Sequence, residues 1–306
     1  MVFSNMVVFS SYVLYVVSSF ILLAHIAMGL PRAIVSARRI GEVIDTEITV
    51  ESGESKESDE TDVCISFKDV SFAYPNSSDN TLTGITFDVP RGQTVAIIGQ
   101  TGSGKSTILN LIPRLFDTTS GTVTIDGKDV RDYDLDYLRS KISYATQKPM
   151  LFTGTARFNI GYGRPDCTDE EMMDAARIAC IDSYLNDNGG LDAKIEHLGA
   201  NLSGGQKQRM SIARAICKRP EIYIFDDTFS ALDYRTDVEV RRNIKKETAG
   251  STILIVSQRI VTVVDADKII VISDGKIIDS GTHDELMKRC DLYREMAKLQ
   301  EYEVEP

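Results

Sequence analysis

The chain of 306 residues is 42% apolar and 26% charged, the balance of a globular protein with a real core in one large or two ordinary domains. A formal net charge of -11 with no basic face argues against a nucleic-acid partner, because phosphate backbones demand one. Five cysteines (Cys64, Cys167, Cys180, Cys217, Cys290) without CxxC or Cys/His spacing point to reduced thiols in a cytosolic domain, against disulfides or zinc.

The run from Met1 to Pro31 contains no Asp, Glu, Lys or Arg. It exceeds the roughly 20 apolar residues that span a bilayer, and it lacks the basic leader of a signal peptide. Positive charge starts only at Arg32, Arg38 and Arg39, which places the N-terminus outside and the rest in the cytoplasm. His25, near the cytoplasmic end of the run, is expected to reach the interface and not to line a pathway. Ile34, Val35, Ile40, Val43 and Ile44 fall at helical spacing, so a helix with a cytoplasmic extension is predicted over 1–45. Residues 46–62 follow as an acidic linker, and the Ser/Glu/Asp-rich stretch Glu51–Asp62 reads as solvated.

From Val63 the texture becomes that of a folded domain, 63–301, with a tail at 302–306. Strands are predicted at Val63–Tyr74, Gly84–Val89 and Thr94–Ile98, with a hairpin over Gly121–Val130 turning at Asp126-Gly127. Helical patterns follow over Asp169–Asn186 and Gly204–Cys217. Further strands occupy Ile222–Phe225, Thr252–Val256 and Lys268–Ile272, with a turn at Asp274-Gly275 and a helix from His283 to Leu299. Such alternation implies an α/β fold with a mainly parallel sheet covered on both faces.

The chemistry starts at Gly99-Gln100-Thr101-Gly102-Ser103-Gly104-Lys105-Ser106-Thr107, a phosphate-binding loop between an apolar strand and a helix. That flanking context separates it from a chance glycine-rich turn. Gly99, Gly102 and Gly104 let the backbone wrap an anion, with N–H groups of Thr101, Ser103 and Thr107 alongside and the helix dipole behind. Lys105 is expected to meet the β/γ-phosphates and Ser106 to ligate Mg²⁺. Asp226 ends an apolar strand some 120 residues later, and is the second Mg²⁺-directing group. Leu202-Ser203-Gly204-Gly205-Gln206 opens a helix, where Ser203 caps an N-terminus that offers a second anion site.

In that order the motifs resemble the ATP-binding-cassette family over essentially all of Val63–Leu299, and with the apolar run and PRAIVSARRI they look like the end of a multidrug-type exporter half. The resemblance implies the cassette fold, a P-loop NTPase with an antiparallel β subdomain and a helical signature subdomain, and ATP with Mg²⁺ as cofactors. It implies that Tyr74 stacks on adenine and that Gln147 senses Mg²⁺ and water. It implies too that Ser230-Ala231-Leu232-Asp233 reports between sites, and that the signature serves the γ-phosphate held by an opposing subunit. Exporters of this family carry six membrane helices per half and this chain supplies one, so a fragment or a truncated gene is expected.

Two positions depart from the family pattern. The usual Glu after the strand aspartate is Asp227, drawn back by roughly 1.5 Å, enough to slow general-base chemistry by orders of magnitude. The switch histidine is Gln258, which accepts and donates hydrogen bonds but carries no charge; the histidines are His25, His197 and His283. Asp227, Gln258 and Gln147 are therefore the catalytic positions of a site that is expected to bind and hardly turn over. The chain resembles the nonconsensus half of bacterial heterodimeric exporters, with a second half-transporter as partner. The alternatives are a homodimeric half in which Asp227 suffices, and a soluble regulatory cassette, which the apolar run and acidic charge disfavour.

Overall fold

The computed structural model describes residues 2–59, 61–75 and 77–301; the tail 302–306 lies outside them. The chain divides into two units, Met1–Glu51 and Ser52–Pro306.

The first unit is one helix, α1 (Val2–Ile44), of 43 residues. At 1.5 Å per residue it is about 65 Å long, twice the hydrocarbon thickness of a bilayer. Its most apolar 18-residue window has a mean hydropathy of 2.1 and none of it is buried. The hydroxyls of Ser10, Ser11, Ser18 and Ser19 donate to the carbonyls of Met6, Val7, Leu14 and Tyr15, so these four hydroxyls are satisfied on the helix itself. Pro31 lies inside the helix and leaves one carbonyl, that of Ala27, without its N–H partner.

The second unit begins with β1 (Val63–Phe72), β2 (Leu82–Pro90), β3 (Thr94–Ile98), α2 (Lys105–Leu111), β4 (Ser120–Ile125), β5 (Lys128–Asp129), α3 (Leu135–Ser140) and β6 (Ile142–Ala145). It continues with β7 (Gly154–Thr155), α4 (Ala156–Ile160), α5 (Asp169–Ile178), α6 (Asp182–Asp187), β8 (Lys194–Ile195), α7 (Gly204–Cys217), β9 (Ile222–Asp226), α8 (Tyr234–Glu247) and β10 (Thr252–Ser257). The rest is α9 (Ile260–Val263), β11 (Lys268–Ser273), β12 (Lys276–Gly281), α10 (His283–Arg289) and α11 (Asp291–Glu301). The main sheet has the order β12-β11-β3-β10-β9-β6, parallel except for β12. A second sheet, β2-β1-β4-β5, is antiparallel throughout.

Every residue of β9 and β10 is buried, as expected for central parallel strands covered on both faces. One core packs β1, β2, β4 and α2 against the β3/β9/β10 face, including Phe67, Leu82, Ile97, Ile108 and Leu254. The other face of β9 and β10 is closed by α4, α5 and α7 through Ala156, Ala175, Met210 and Phe225. Parallel pairing sets the site. Ile98 pairs with Ser257, Asp226 with Val256, and Ala145 with Phe225, so four strands end on one edge of the sheet.

Three expectations are corrected. The stretch Glu51–Asp62 is not free in solvent: the N–H of Gly53 donates to the Tyr133 carbonyl at 2.9 Å, and Ser55 exchanges backbone bonds with Asp132 and Asp134. Lys128 Nζ donates to Ser55 Oγ (2.6 Å) and to the Glu57 carbonyl (2.7 Å), while Lys141 Nζ reaches Ser58 Oγ at 2.8 Å. The polar composition supplies acceptors for two lysines. Gly53 is required because a Cβ there would meet the Asp132 carbonyl at 2.4 Å. The stretch Asp169–Asn186 is two helices, because Cys180 turns left-handed (φ 54°). The C-terminal helix is likewise two, interrupted at Cys290, whose ψ of 108° is extended.

Candidate functional site

The edge where β3, β6, β9 and β10 end holds a cavity of about 320 Å³. Thr101, Gly102, Gly104, Lys105, Ser106, Thr107, Gln147, Asp226, Asp227 and Gln258 line it together with Thr81 and Val256. Residues from five separate segments thus meet at one place.

The glycines of the loop do different things. A Cβ on Gly99 would meet the Ile272 carbonyl at 2.1 Å, so that residue is glycine because β11 passes over it. Gly102 has open space around it but a φ of 83°, which an L side chain rarely adopts. Gly104 combines both, with φ 98° and Leu82 at 2.6 Å from a Cβ. No side chain caps α2, which leaves the first N–H groups of that helix to the cavity.

Lys105 is buried and its Nζ donates to the carbonyls of Gly99 (2.8 Å) and Gln100 (2.6 Å). Burial pulls its pKa below the usual lysine range, against the attraction of Asp227 and Asp226. The Asp226 carboxylate accepts from Ser106 Oγ at 3.0 Å and from the Tyr144 hydroxyl at 3.3 Å. The Asp227 carboxylate accepts from Gln147 Nε2 at 3.3 Å. Both carboxyl groups are pushed above the ordinary carboxylate range by burial; Ser106 and Tyr144 pull Asp226 back, and Gln147, Ser230 and Lys105 pull Asp227 back. Asp227 sits at φ 46°, a left-handed conformation that Asp tolerates better than most residues. Gln258 Oε1 accepts from Thr101 Oγ1 at 3.2 Å.

Among the described residues no group of three or more His, Cys, Asp and Glu gathers to hold a metal. Ser106, Asp226 and Gln147 offer a hydroxyl, a carboxylate and an amide, all oxygen donors. That set fits Mg²⁺, which takes few protein ligands and keeps waters and phosphate oxygens.

Other expected residues lie elsewhere. Gly99 and Ser103 are beneath the cavity lining, with Ser103 Oγ 3.4 Å from Lys105 Nζ. Tyr74 is also outside it: its hydroxyl meets Thr107 Oγ1 at 3.1 Å, and its ring packs edge-on against Phe72 and Phe116. The signature residues are not in the lining. Ser203 Oγ accepts from Gln206 N–H, and Gln206 Oε1 accepts from Ser203 N–H at 2.8 Å, a reciprocal cap on α7. Leu202 is buried, and Gly205 has the Ala231 carbonyl 3.4 Å from a Cβ position. Gly204 is exposed, with nothing within 4 Å of a Cβ, so no contact among the described residues requires glycine there.

Sequence reasoning passed over two positioning groups, Tyr144 and Gln208, and expected Ser230 only as part of the segment that reports between sites. Tyr144 orients Asp226, and burial together with that carboxylate pushes its phenol far above the usual tyrosine range, so it remains a donor. Gln208, buried on α7, donates to the Thr146 carbonyl beside Gln147 at 3.4 Å. Ser230 Oγ donates to the Asp227 carbonyl at 2.8 Å. Of the two that were missed, Tyr144 alone had a signal that could have found it, since it stands three residues before Gln147 on β6 beside β9.

Residues 82–230 match the ABC transporter family. An uncharacterised ABC transporter ATP-binding protein of Mycobacterium tuberculosis is 39% identical over 301 residues, 97% of this chain and 52% of that protein. A putative multidrug export ATP-binding/permease protein of Bacillus subtilis is 40% identical over 77% of this chain and 41% of its own length. An ATP-dependent lipid A-core flippase of Syntrophus aciditrophicus is 37% identical over 91% and 46%. The structure of a bacterial Atm1-family ABC exporter with ATP bound superposes with a TM-score of 0.82 at 32% identity, covering 88% of this chain and 47% of that one. The chain spans about half the length of the curated relatives it matches.

Proposed function

We propose that the chain carries the ATP-binding domain of an ABC exporter and serves as one half of a membrane exporter whose own ATP site binds nucleotide and hydrolyses it poorly. The N-terminus of α2 and Lys105 would hold the phosphates, Ser106, Asp226 and Gln147 would hold Mg²⁺, and Tyr74 would meet the adenine. The metal would offset phosphate charge. Asp227 and Gln258 orient water and the terminal phosphate less well than Glu and His would.

The observation that carries this reading is that both departures fall in one cavity with an intact set of binding groups. Asp227 is tied to Gln147 and Gln258 to Thr101, so the two weakened residues serve one chemical step. The partner is a second half-transporter that presents its own signature to this cavity and receives this chain's signature at its own site. The open surroundings of Gly204 support that role, since close approach from outside gives a reason for glycine that the chain itself does not. The relative named for multidrug export supports the direction of transport.

The test is nucleotide binding and hydrolysis by the full chain in detergent or nanodiscs. Binding that is lost in Lys105→Ala, with little turnover, is expected. The pair Asp227→Glu with Gln258→His should raise hydrolysis by more than the single changes combined. Robust turnover by the unaltered chain alone, abolished by Lys105→Ala and indifferent to a partner, would establish the homodimeric alternative.

A further inference from the structure

The loop that carries Gln258 is held from behind by the C-terminal helix. Tyr293 and Ala297 of α11 are buried with Ile260 and Val263 of α9 and with Ala96 and Ile98 of β3. One turn past Ala297, Gln300 reaches the loop's backbone. Its Nε2 donates to the Gln258 carbonyl and its Oε1 accepts from the Ile260 N–H, both at 2.6 Å. A carbonyl can only accept and an N–H can only donate, so the two partners fix which way the amide points.

Among the described residues the Gln258 carbonyl and the Ile260 N–H have no other hydrogen-bond partner. Arg259, the residue before α9, makes no side-chain cap, so the first N–H of that short helix depends on Gln300. Gln258 then has two ends: its carbonyl is held by α11, and its side chain lies in the cavity against Thr101 of the phosphate loop. A planar amide is the side-chain group that supplies one donor and one acceptor at this spacing.

We propose that Gln300 is a positioning residue for the terminal phosphate of the bound nucleotide, fixing the backbone from which Gln258 enters the cavity. The proposal rests on the ATP-binding reading above. Because Gln258 stands on the phosphate-loop side of the cavity, Gln300 acts on the terminal phosphate and not on the nucleoside end. Loss of the clamp should be felt by ATP and not by ADP.

The experiment measures affinity of the full chain for a slowly hydrolysed ATP analogue with Mg²⁺ and for ADP. Gln300→Met is expected to weaken the analogue roughly three- to tenfold, the range that a hydrogen bond's usual net contribution converts to, with ADP unchanged. In a Gln258→Ala background the same change should do nothing further. Gln300→Glu, which keeps the volume but loses the donor when ionised, should behave like Gln300→Met and guards against misfolding of the first variant. Equal losses for analogue and ADP, no loss at all, or losses that add to those of Gln258→Ala would overturn the proposal alone. An unaltered chain that binds analogue and ADP equally, or whose binding ignores Lys105→Ala, would overturn it together with the ATP-binding reading.

Discussion

Two buried carboxylates stand side by side in the cavity with one lysine. Burial raises Asp226 and Asp227 above their unfolded values, so over the window from about 3.9 upward the folded chain holds protons that the unfolded chain has already released. The sign follows: without ligand, their contribution to stability falls as pH rises through that window and stays unfavourable at neutral pH. Asp227→Asn is therefore expected to raise the melting temperature of the ligand-free protein at pH 7, by about 2–4 °C for each kcal/mol recovered, with the gain shrinking toward pH 4. Melting curves at both pH values decide it. A loss of stability at pH 7 would mean that Lys105 depends on Asp227 more than burial opposes it.

The segment 52–58 acts as a structural element although it is neither helix nor strand. Its backbone pairs with Asp132–Asp134, and its serines accept from Lys128 and Lys141. Lys141 is itself part of a buried ionic group with Asp126, which also pairs with Arg91. A piece of the protein that begins at Val63 loses these bonds, while one that begins at Ser52 keeps them. With a few net hydrogen bonds at about 1 kcal/mol each, the shorter piece should melt roughly 5–10 °C lower. Equal melting temperatures in differential scanning calorimetry would mean that the segment's contacts add no net stability. In the same way, α9 and α11 act as a pair, since Gln300 supplies the cap that the sequence around Arg259 lacks.

At the scale of the whole molecule, the proposed function rests on a surface that would act on a partner's nucleotide and not on this chain's own. The signature's helix terminus is exposed, capped by Ser203 and Gln206, and absent from the cavity beside Lys105. In a complex with its partner half, Gly204→Asp is expected to abolish most ATP turnover, because it sets negative charge where the partner's phosphates would lie. Nucleotide binding in this chain's own cavity should be unaffected, and Asp227→Asn should lower turnover of the complex far less. A complex that keeps turnover with Gly204→Asp and loses it with Asp227→Asn would reverse the assignment of the two sites.

The motifs were legible in the sequence because each is local. The phosphate loop, the strand ending in Asp226 and the capped start of α7 need only neighbouring residues to take their form, and turn and strand chemistry placed most elements within a few residues. The departures at Asp227 and Gln258 were likewise readable as residue types in a pattern. Tertiary structure decided what depends on groups distant in sequence. It made Gly99 obligatory through Ile272, tied Asp226 to Tyr144, and turned an acidic stretch from linker into docked segment through Lys128 and Lys141. Gln300 is the clearest case: as one glutamine near the end of an amphipathic helix it carries no pattern, and only the packing of α11 against β3 and α9 gives its amide two backbone partners 40 and 42 residues away.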